Sequence, residues 1–397
     1  MADNKDKKLL NVPHLRFPEF SGEWEETTLG KISEITKGSG ISKDQLSEQG
    51  SPCILYGELY TKYKSEIISE VYSRTELDSS SLVKSKANDV IIPCSGETAI
   101  DISTARCVPF NNILLGGDLN IIRLKNDDGG FFAYQLNGVR KTDIARVAQG
   151  VSVVHLYGEN LKQITVYHPA IEEQKKITRL LSLIDERIAT QNKIIEDLKL
   201  LKSAIIESTY YNRSYHPCRI GDVIEQISER NKDKSIDMVL SVSNKQGFIN
   251  QSEQFEDRII ASEDTSNYKI VHKNDFAYNP ARINVGSIAR LTTIEMGIVS
   301  PMYICFRVRK GVVSEYLEHF FSTSYFFYEM QKRLEGSVRQ CLSFESICNI
   351  PIYIPSSEEQ HTIGKKISVL LDKIDIETHY HCKLVEQKHY LLRQMFI

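Results

Sequence analysis

The chain has 397 residues, a formal net charge of −3 and 41% hydrophobic residues, values that are ordinary for a globular protein of two or three domains. The near-neutral charge excludes a global attraction to nucleic acid, so any DNA-binding surface must be local. The charged N-terminus lacks an apolar signal core, and no apolar stretch reaches about eighteen residues, so we expect a cytoplasmic protein that does not span a membrane.

Residues 1–24 predict an N-terminal arm. Pro13 and Pro18 block helix formation, and the apolar residues between and after them need a docking surface. That surface is either the body of the protein, which we favour, or a partner. The residues concerned are Leu15, Phe17, Phe20 and Trp24.

Residues 25–168 show short β-like runs separated by polar loops. The strand candidates are 89–94, 120–125 and 164–167, and 131–148 has helical spacing. We therefore predict a mixed α+β domain of common size.

Residues 169–215 predict a long helix, because apolar residues recur every three or four positions. Roughly forty residues at ~1.5 Å each give a rod of about 60 Å, which is too long for one compact domain to cover. Such helices bury their apolar seams against each other, as in coiled coils. The seam residues are Ile177, Leu181, Ile184, Ile188, Ile195 and Leu198.

The layout then repeats, with a second domain at 216–354 and a second long helix at 355–397. Pro355, Ser356 and Glu359 form a capping-box pattern at the start of this helix, where Ala170 replaces the serine in the first copy. The second seam consists of Ile363, Ile367, Leu370, Ile374, Leu384 and Leu391.

A repeated motif relates the two halves. Pro-x-x-Glu-Glu-Gln occurs at 169–174 and at 355–360, 186 positions later, and twelve of the 39 positions from Gly150 to Ile188 recur at that offset. The loops 95–101 and 281–287 have diverged. The predicted fold is α+β, with two similar globular domains separated by two long antiparallel helices that form a coiled coil.

Motifs for enzyme chemistry are missing. There is no GxxxxGK[ST] phosphate loop, no dinucleotide fingerprint, and no Cys-x-x-Cys zinc pattern among the eight cysteines. Tyr278-Asn279-Pro280-Ala281 is superficially similar to the Asn-Pro-Pro-aromatic pocket of amino-methyltransferases, but lacks the second proline and the aromatic residue. We predict a non-catalytic chain without a bound metal or cofactor.

Two related domains with different loops, joined by rods, suit the reading of two separated features on DNA. Lys and Arg neutralise phosphates, whereas Asn, Gln and Arg form bidentate contacts with base edges. The alternative is that these side chains are helix-end and turn residues in water. The DNA-binding candidates are Tyr56, Ser95, Thr98, Arg146, Gln149 and Ser152 in the first domain and Asn279, Arg282, Asn284, Lys332, Arg339 and Gln340 in the second.

The arm at 15–24, the repeated Pro-x-x-Glu-Glu-Gln motif and Ser95-Gly-Glu-Thr98 resemble the specificity subunit of Type I restriction–modification systems. The resemblance implies two target-recognition domains that each read half of a bipartite site in double-stranded DNA. It also implies that the helices set the spacing and dock two modification subunits, which are joined by a restriction subunit. S-adenosylmethionine, ATP and Mg would then belong to those partners.

Other functions stay open at this point. A coiled-coil adaptor would explain the helices but not two domains with divergent polar loops, and a DNA-binding regulator outside restriction–modification is weakened by the near-neutral charge. A stand-alone methyltransferase or nuclease would need the missing motifs.

Overall fold

The computed structural model describes residues 11–210, 214–244, 246–251, 264–337 and 340–397. The chain divides into two compact units. Unit 1 extends to Lys193 and includes His379–Ile397, whereas unit 2 is Ile194–Thr378. Every helix among the described residues is too short or too polar to cross a lipid bilayer.

Short strands and helices make up the globular part of unit 1. Its strands are Glu25–Thr28, Ser33–Lys37, Leu46–Ser47, Ser51–Ile54, Ser73–Thr75, Asp89–Pro93, Ser95–Gly96, Arg106–Val108, Leu114–Leu115, Leu119–Leu124, Val154–His155 and Thr165–His168. Its helices are Leu29–Ile32, Glu58–Thr61, Ala99–Ile102, Gly129–Asn137, Lys141–Val147 and Gly158–Lys162, with a 3₁₀ turn at Lys43–Gln45.

Unit 2 has a similar set of elements. Its strands are His216–Arg219, Ile224–Ile227, Val239–Ser243, Gly247–Asn250, Lys269–His272, Phe276–Tyr278, Ile288–Arg290, Met296–Val299, Ile304–Val308 and Pro351–Ile354. Its helices are Ile220–Val223, Ser314–Phe320, Ser324–Gln331 and Phe344–Cys348, with a 3₁₀ turn at Ile283–Val285. The long helices are Ile171–Tyr210 and Ser357–Gln394.

An antiparallel four-stranded sheet lies at the centre of each unit. In unit 1 the second and third strands in the sheet are Leu119–Leu124 and Asp89–Pro93, and in unit 2 they are Ile304–Val308 and Phe276–Tyr278. Both faces of these strands are buried, since alternate residues enter different hydrophobic clusters. This explains their continuous apolar runs, and the predicted strands at 89–94, 120–125 and 164–167 are confirmed within one residue.

The same ion pair recurs in both central sheets. Asp89 binds Arg123 through two hydrogen bonds of 2.9 and 2.7 Å, and Asp275 binds Arg307 through bonds of 3.0 and 2.9 Å. Each aspartate is buried and also accepts a backbone N–H from three residues before it, at 2.8 Å. A shared buried polar network of this kind shows that the units have one scaffold.

The second sheet of each unit preserves only its parallel pair. Ser51–Ile54 runs parallel to Leu114–Leu115, as Val239–Ser243 does to Met296–Val299, but the antiparallel strands added around each pair differ. The structural divergence therefore extends beyond the loops.

The two long helices pack antiparallel. In unit 1, Asp185 of the first helix pairs with Lys388 of the second at 2.6 Å. The guanidinium of Arg187 lies over the ring of Tyr380, 5.4 Å from the ring centroid, which is within the range of a cation–π contact. As the residue number rises in one helix, it falls in the other. The predicted α+β class, the duplicated domain and the pair of long helices are thus confirmed.

The glutamine of the repeated motif ties the start of each long helix to its own unit. The amide of Gln174 donates to the carbonyl of Pro169 at 2.9 Å and accepts the backbone N–H of Asp128 at 2.9 Å. Gln360 likewise donates to Pro355 at 3.0 Å and accepts from the N–H of Val313 at 2.7 Å. Both glutamines are buried.

The capping box predicted at Ser356 is present. Its hydroxyl accepts the backbone N–H of Glu359 at 3.3 Å, and the Glu359 carboxylate accepts the N–H of Ser356 at 3.1 Å. The predicted helical stretch 131–148 was wrong in one respect, because it forms two helices, Gly129–Asn137 and Lys141–Val147, separated by residues 138–140.

The arm docks on the body of the protein, as we favoured. Trp24 is buried in unit 1, where its ring centroid lies 5.6 Å from that of Phe131 and 6.3 Å from that of Phe396. Arg16 forms two 2.7 Å hydrogen bonds to the buried carboxylate of Glu173. The first Glu-Glu-Gln motif therefore also anchors the arm.

Candidate nucleic-acid interface

Two loops meet at one edge of unit 1. The strand Ser95–Gly96 pairs antiparallel with Val154–His155, so the loop after residue 95 lies beside the loop before residue 154. The helix Ala99–Ile102 then packs against Lys141–Val147. This arrangement brings together the predicted residues at 95–98 and at 146–152.

Residues 150–154, which we name tip loop 1, have a closed conformation. Gln149 and His155 exchange backbone hydrogen bonds of 2.8 and 2.7 Å across its base. Gly150 has a φ of 120°, and a Cβ atom there would lie 2.1 Å from the carbonyl oxygen of Val153. Only glycine fits this position without moving the backbone.

Residues 336–340, named tip loop 2, are closed in the same way in unit 2, and Val338 and Arg339 within them lie outside the described residues. Glu335 and Cys341, each 186 positions after its counterpart, exchange backbone hydrogen bonds of 2.9 and 2.8 Å, and Gly336 has a φ of 102°. The N–H of Leu342 donates to the carbonyl of Pro280 at 3.0 Å, so the 279–284 loop is the neighbour of tip loop 2. The two units thus close their tip loops with the same hydrogen bonds and glycine, around different sequences.

The predicted residues of unit 1 have different environments. Arg146, Gln149 and Ser152 are exposed, although Arg146 also pairs with Asp143 at 3.1 Å. Thr98 is exposed but serves as the N-cap of Ala99–Ile102, since its hydroxyl accepts the N–H of Asp101. Ser95 is buried.

Tyr56 lies on a different segment from these loops, just after the strand Ser51–Ile54. It is partly buried and packs against a hydrophobic cluster of unit 1 that contains Ile54, Leu59 and Leu115. Packing is sufficient to explain an aromatic residue there, and its DNA-binding role stays a prediction.

Most predicted residues of unit 2 lie on turns. Asn279 accepts the N–H of Ala281 through its side chain at 3.0 Å, Arg282 is exposed, and Asn284 belongs to the 3₁₀ turn Ile283–Val285. Gln340 is exposed at the end of tip loop 2, whereas Arg339 lies outside the described residues.

Lys332 is an exposed cation near tip loop 2. Its amino group is 2.8 Å from Glu329 and 3.7 Å from the ring centroid of Tyr328. The hydrogen bond from Lys332 to Glu329 raises the pKa of the lysine, so it stays charged at neutral pH. A phosphate would have to compete with that carboxylate.

Sequence reasoning missed the apolar part of this edge in unit 1. The exposed fraction of the side chain is 97% for Val151, 53% for Val153, 51% for Ile100 and 45% for Tyr157. The repeat at Gly150 marked the position of the loop, but no sequence signal distinguished these residues from core residues.

The predicted seam residues mainly hold the long helices in place. Eight are buried: Ile177, Leu181, Ile184, Ile195, Ile367, Ile374, Leu384 and Leu391. The other four are partly buried: Ile188, Leu198, Ile363 and Leu370. The accessible apolar surface lies beside the seam instead.

A groove of about 410 Å³ follows the seam in unit 1. Leu183 projects into it with 44% of its side chain exposed, and Arg187 and Tyr380 form part of its wall. The position 186 residues after Leu183 is Val369 in unit 2, which is also exposed. Each unit therefore presents apolar helix surface at matching positions.

Metal ligands do not cluster in the described part of the chain. Within those residues there is no group of three or more His, Cys, Asp and Glu side chains that could hold a metal ion.

The family model described as the Type I restriction modification DNA specificity domain matches the chain twice, at residues 21–200 and 212–385. The Type I restriction enzyme MjaVIII specificity subunit of Methanocaldococcus jannaschii is 20% identical over 410 residues, covering 94% of this chain and 91% of that protein. The putative type I restriction enzyme MjaX specificity subunit of the same organism is 26% identical over 243 residues. That match spans about half of each protein, 55% in both cases.

Solved structures show a similar fold. The crystal structure of a Type-I restriction-modification system S subunit from M. genitalium has a TM-score of 0.61 at 16% identity, covering 97% of this chain and 99% of that chain. A structure from work on complex assembly and conformational transition of the type I R-M system has a TM-score of 0.56 at 13% identity, covering 94% and 97%.

Proposed function

Because the chain belongs to the family of Type I restriction–modification DNA specificity subunits, we propose that its two recognition domains each read one half of a bipartite site in double-stranded DNA. The observation that carries this proposal is the pair of tip loops. Their closing hydrogen bonds and their glycines recur at the same offset, whereas the residues at their tips differ. The same loop closure with different side chains suits a protein that reads different bases with its two copies.

The polar residues around the tip loops supply suitable chemistry. In unit 1, Arg146 can approach phosphates and Gln149 can form a bidentate contact with adenine. In unit 2, Arg282 and Gln340 are exposed groups of the same types, although at different positions of the repeat. The cations are few, which agrees with a local DNA surface on a chain of net charge −3.

The long helices, in this proposal, set the spacing of the half-sites and dock two modification subunits. The apolar groove beside Leu183 and the exposed Val369 at the matching position support two equivalent docking surfaces. A helix of a partner, with apolar residues on one face, fits a groove of this kind.

We further propose that this chain performs no catalysis of its own. Methylation with S-adenosylmethionine and DNA cleavage with ATP and Mg would take place on the modification and restriction subunits, in the cytoplasm. The family match supports DNA recognition within restriction–modification, rather than an adaptor or a regulator outside it.

A domain exchange tests the central claim. Residues 25–168 are replaced by the matching region of a relative with a different site, and methylated adenines are mapped in cells that contain the modification subunits. We expect one half of the methylated sequence to change and the other half to stay the same. Exchange of 216–354 is the matched control and should change the opposite half. A change in both halves after either exchange would refute the claim that each domain recognises one half-site.

A further inference from the structure

Tip loop 1 contains an apolar side chain, that of Val151, which does not pack in the core of the described residues. Val151 is 97% exposed, whereas Val154, three residues later, is buried and pairs with Gly96. Exposed apolar groups nearby are Val153 on the same loop and Ile100 on the adjoining helix. The apolar tip is therefore part of a small exposed patch.

The backbone holds this tip in a defined position. The exchanged hydrogen bonds of Gln149 and His155 close the base of the loop, and Gly150 packs against the carbonyl of Val153. A ligand that meets Val151 need not order the loop first, so little conformational entropy is lost on contact.

The groups beside Val151 indicate which ligand suits it. Gln149 and Ser152 are exposed on either side, and the side chain of Arg146 is 78% exposed. One small β-branched residue between hydrogen-bonding groups is a poor anchor for a protein partner, since such anchors are mostly large aromatic or Arg side chains. The same mixture suits the major-groove edge of DNA, where thymine presents a methyl group beside donors and acceptors.

Tip loop 2 differs at the matching position. There the residue is Ser337, which is exposed and polar. The glycine and the closing hydrogen bonds are thus retained, while the residue after the glycine changes from an aliphatic group to a hydroxyl.

We propose that Val151 contacts the C5-methyl group of a thymine in the half-site read by unit 1, and that Ser337 makes no such contact in the other half-site. This inference rests on the proposed function, and it adds the base and the chemical group that are recognised. It assigns a specificity-determining role to a residue on the exposed tip.

The experiment uses the full chain assembled with its modification subunits. DNA that contains the mapped site is prepared with deoxyuridine, which lacks the 5-methyl group, in place of thymine in one half-site at a time. For the half-site assigned to unit 1 by the domain exchange, we expect deoxyuridine to weaken binding roughly threefold to fivefold, as for one buried methyl group. Deoxyuridine in the other half-site should change the binding affinity equally in the wild type and in a variant that lacks the Val151 side chain.

Two variants complete the test. Val151→Ala should bind thymine DNA and deoxyuridine DNA equally, because the contact is already lost. Ser337→Ala should retain the full wild-type ratio between the two DNAs. Since Val151 is almost wholly exposed, its truncation should leave the melting temperature unchanged.

Three results would overturn the inference: equal binding of both DNAs by the wild type, an unchanged ratio in Val151→Ala, or a unit 1 half-site with no thymine on either strand. Failure to bind any defined sequence would overturn the proposed function itself and this inference with it. Retained site-specific binding without an effect of the methyl group would overturn the inference alone.

Discussion

Gln174 and Gln360 illustrate how single residues join a long helix to a domain. Each side chain is buried. Its amide nitrogen donates a hydrogen bond to a carbonyl before the helix, and its amide oxygen accepts one from a backbone N–H in a separate loop. An ionised glutamate could accept the N–H but could not donate to the carbonyl, and a shorter side chain could not span the two groups. The repeated motif therefore has a structural explanation in both halves.

Gln174→Ala tests this role. It leaves the N–H of Asp128 and the carbonyl of Pro169 without these partners, so we expect the free energy of unfolding to fall by about 1–3 kcal/mol. Urea denaturation measures the change. Gln163→Ala, at an exposed side chain, is the control and should change stability by less than about 0.5 kcal/mol. Equal effects of both substitutions would contradict the assigned role.

His168 predicts a pH dependence of stability. Its Nδ1 lies 3.1 Å from Asp127 Oδ1, and this hydrogen bond raises the pKa of His168 above its ordinary value in spite of partial burial. The nearby Glu25 carboxylate acts in the same direction. A raised folded-state pKa gives stability that is present below the unfolded pKa and is lost as pH rises through the folded value.

We therefore expect the free energy of unfolding of the wild type to fall, relative to that of His168→Gln, as pH rises from about 6 to about 8. Denaturation curves recorded at a series of pH values give this difference. Parallel pH profiles for the two proteins would show that the imidazole does not contribute.

At the scale of the elements, our proposal gives the long helices a docking surface beside their packing seam. Both Leu183 and Ile184 line the groove, but Ile184 is buried in the hydrophobic cluster of unit 1, whereas Leu183 is 44% exposed. Ile184→Asp would therefore disturb folding as well as the groove, and should cost at least the about 2–5 kcal/mol of an Ile→Ala truncation.

Leu183→Glu is the sharper test of docking. We expect it to weaken binding of the modification subunit roughly tenfold or more, because a charge enters an apolar contact, with no change in melting temperature. Titration calorimetry or co-purification with the modification subunit measures this. Leu200→Glu, on the same helix but outside that groove, is the control and should retain binding. Unchanged affinity of Leu183→Glu would place the docking surface elsewhere.

At the scale of the whole molecule, our proposed function depends on two DNA-recognition domains joined by helices of fixed length. The helices have 40 and 38 residues, and their pairing combines an apolar seam with buried charges such as Asp185 and Lys388. In this proposal, the length of the helices sets the number of base pairs between the half-sites.

Insertion of one heptad into both helices, after Lys193 and after Thr378, tests this conversion. Seven residues add about 10 Å, so we expect the methylated site to gain about three base pairs between its halves, at ~3.4 Å per pair. Genome-wide mapping of methylated adenine reads the spacing directly. Insertion into one helix alone should disrupt the pairing and reduce assembly. If the variant with both insertions still methylated sites of the original spacing, helix length would not set the distance between the half-sites.

The sequence by itself determined the features that depend on local periodicity or on comparison of the two halves. Apolar residues at every third or fourth position predicted both long helices, and the twelve recurring positions predicted the duplication. The capping box at Ser356 and the central strands were also predictable, since they depend on neighbours along the chain. Family membership followed from the same repeated motif.

Only the tertiary structure decided which residues are accessible and which distant groups meet. Ser95 is buried in a short strand, Thr98 caps a helix and Val151 is exposed, although the sequence predicted none of these differences. The pairing of Asp89 with Arg123 joins residues on separate strands. Burial and pairing of this kind are set by contacts between residues far apart in the chain, and a pattern of neighbouring residues contains no record of them.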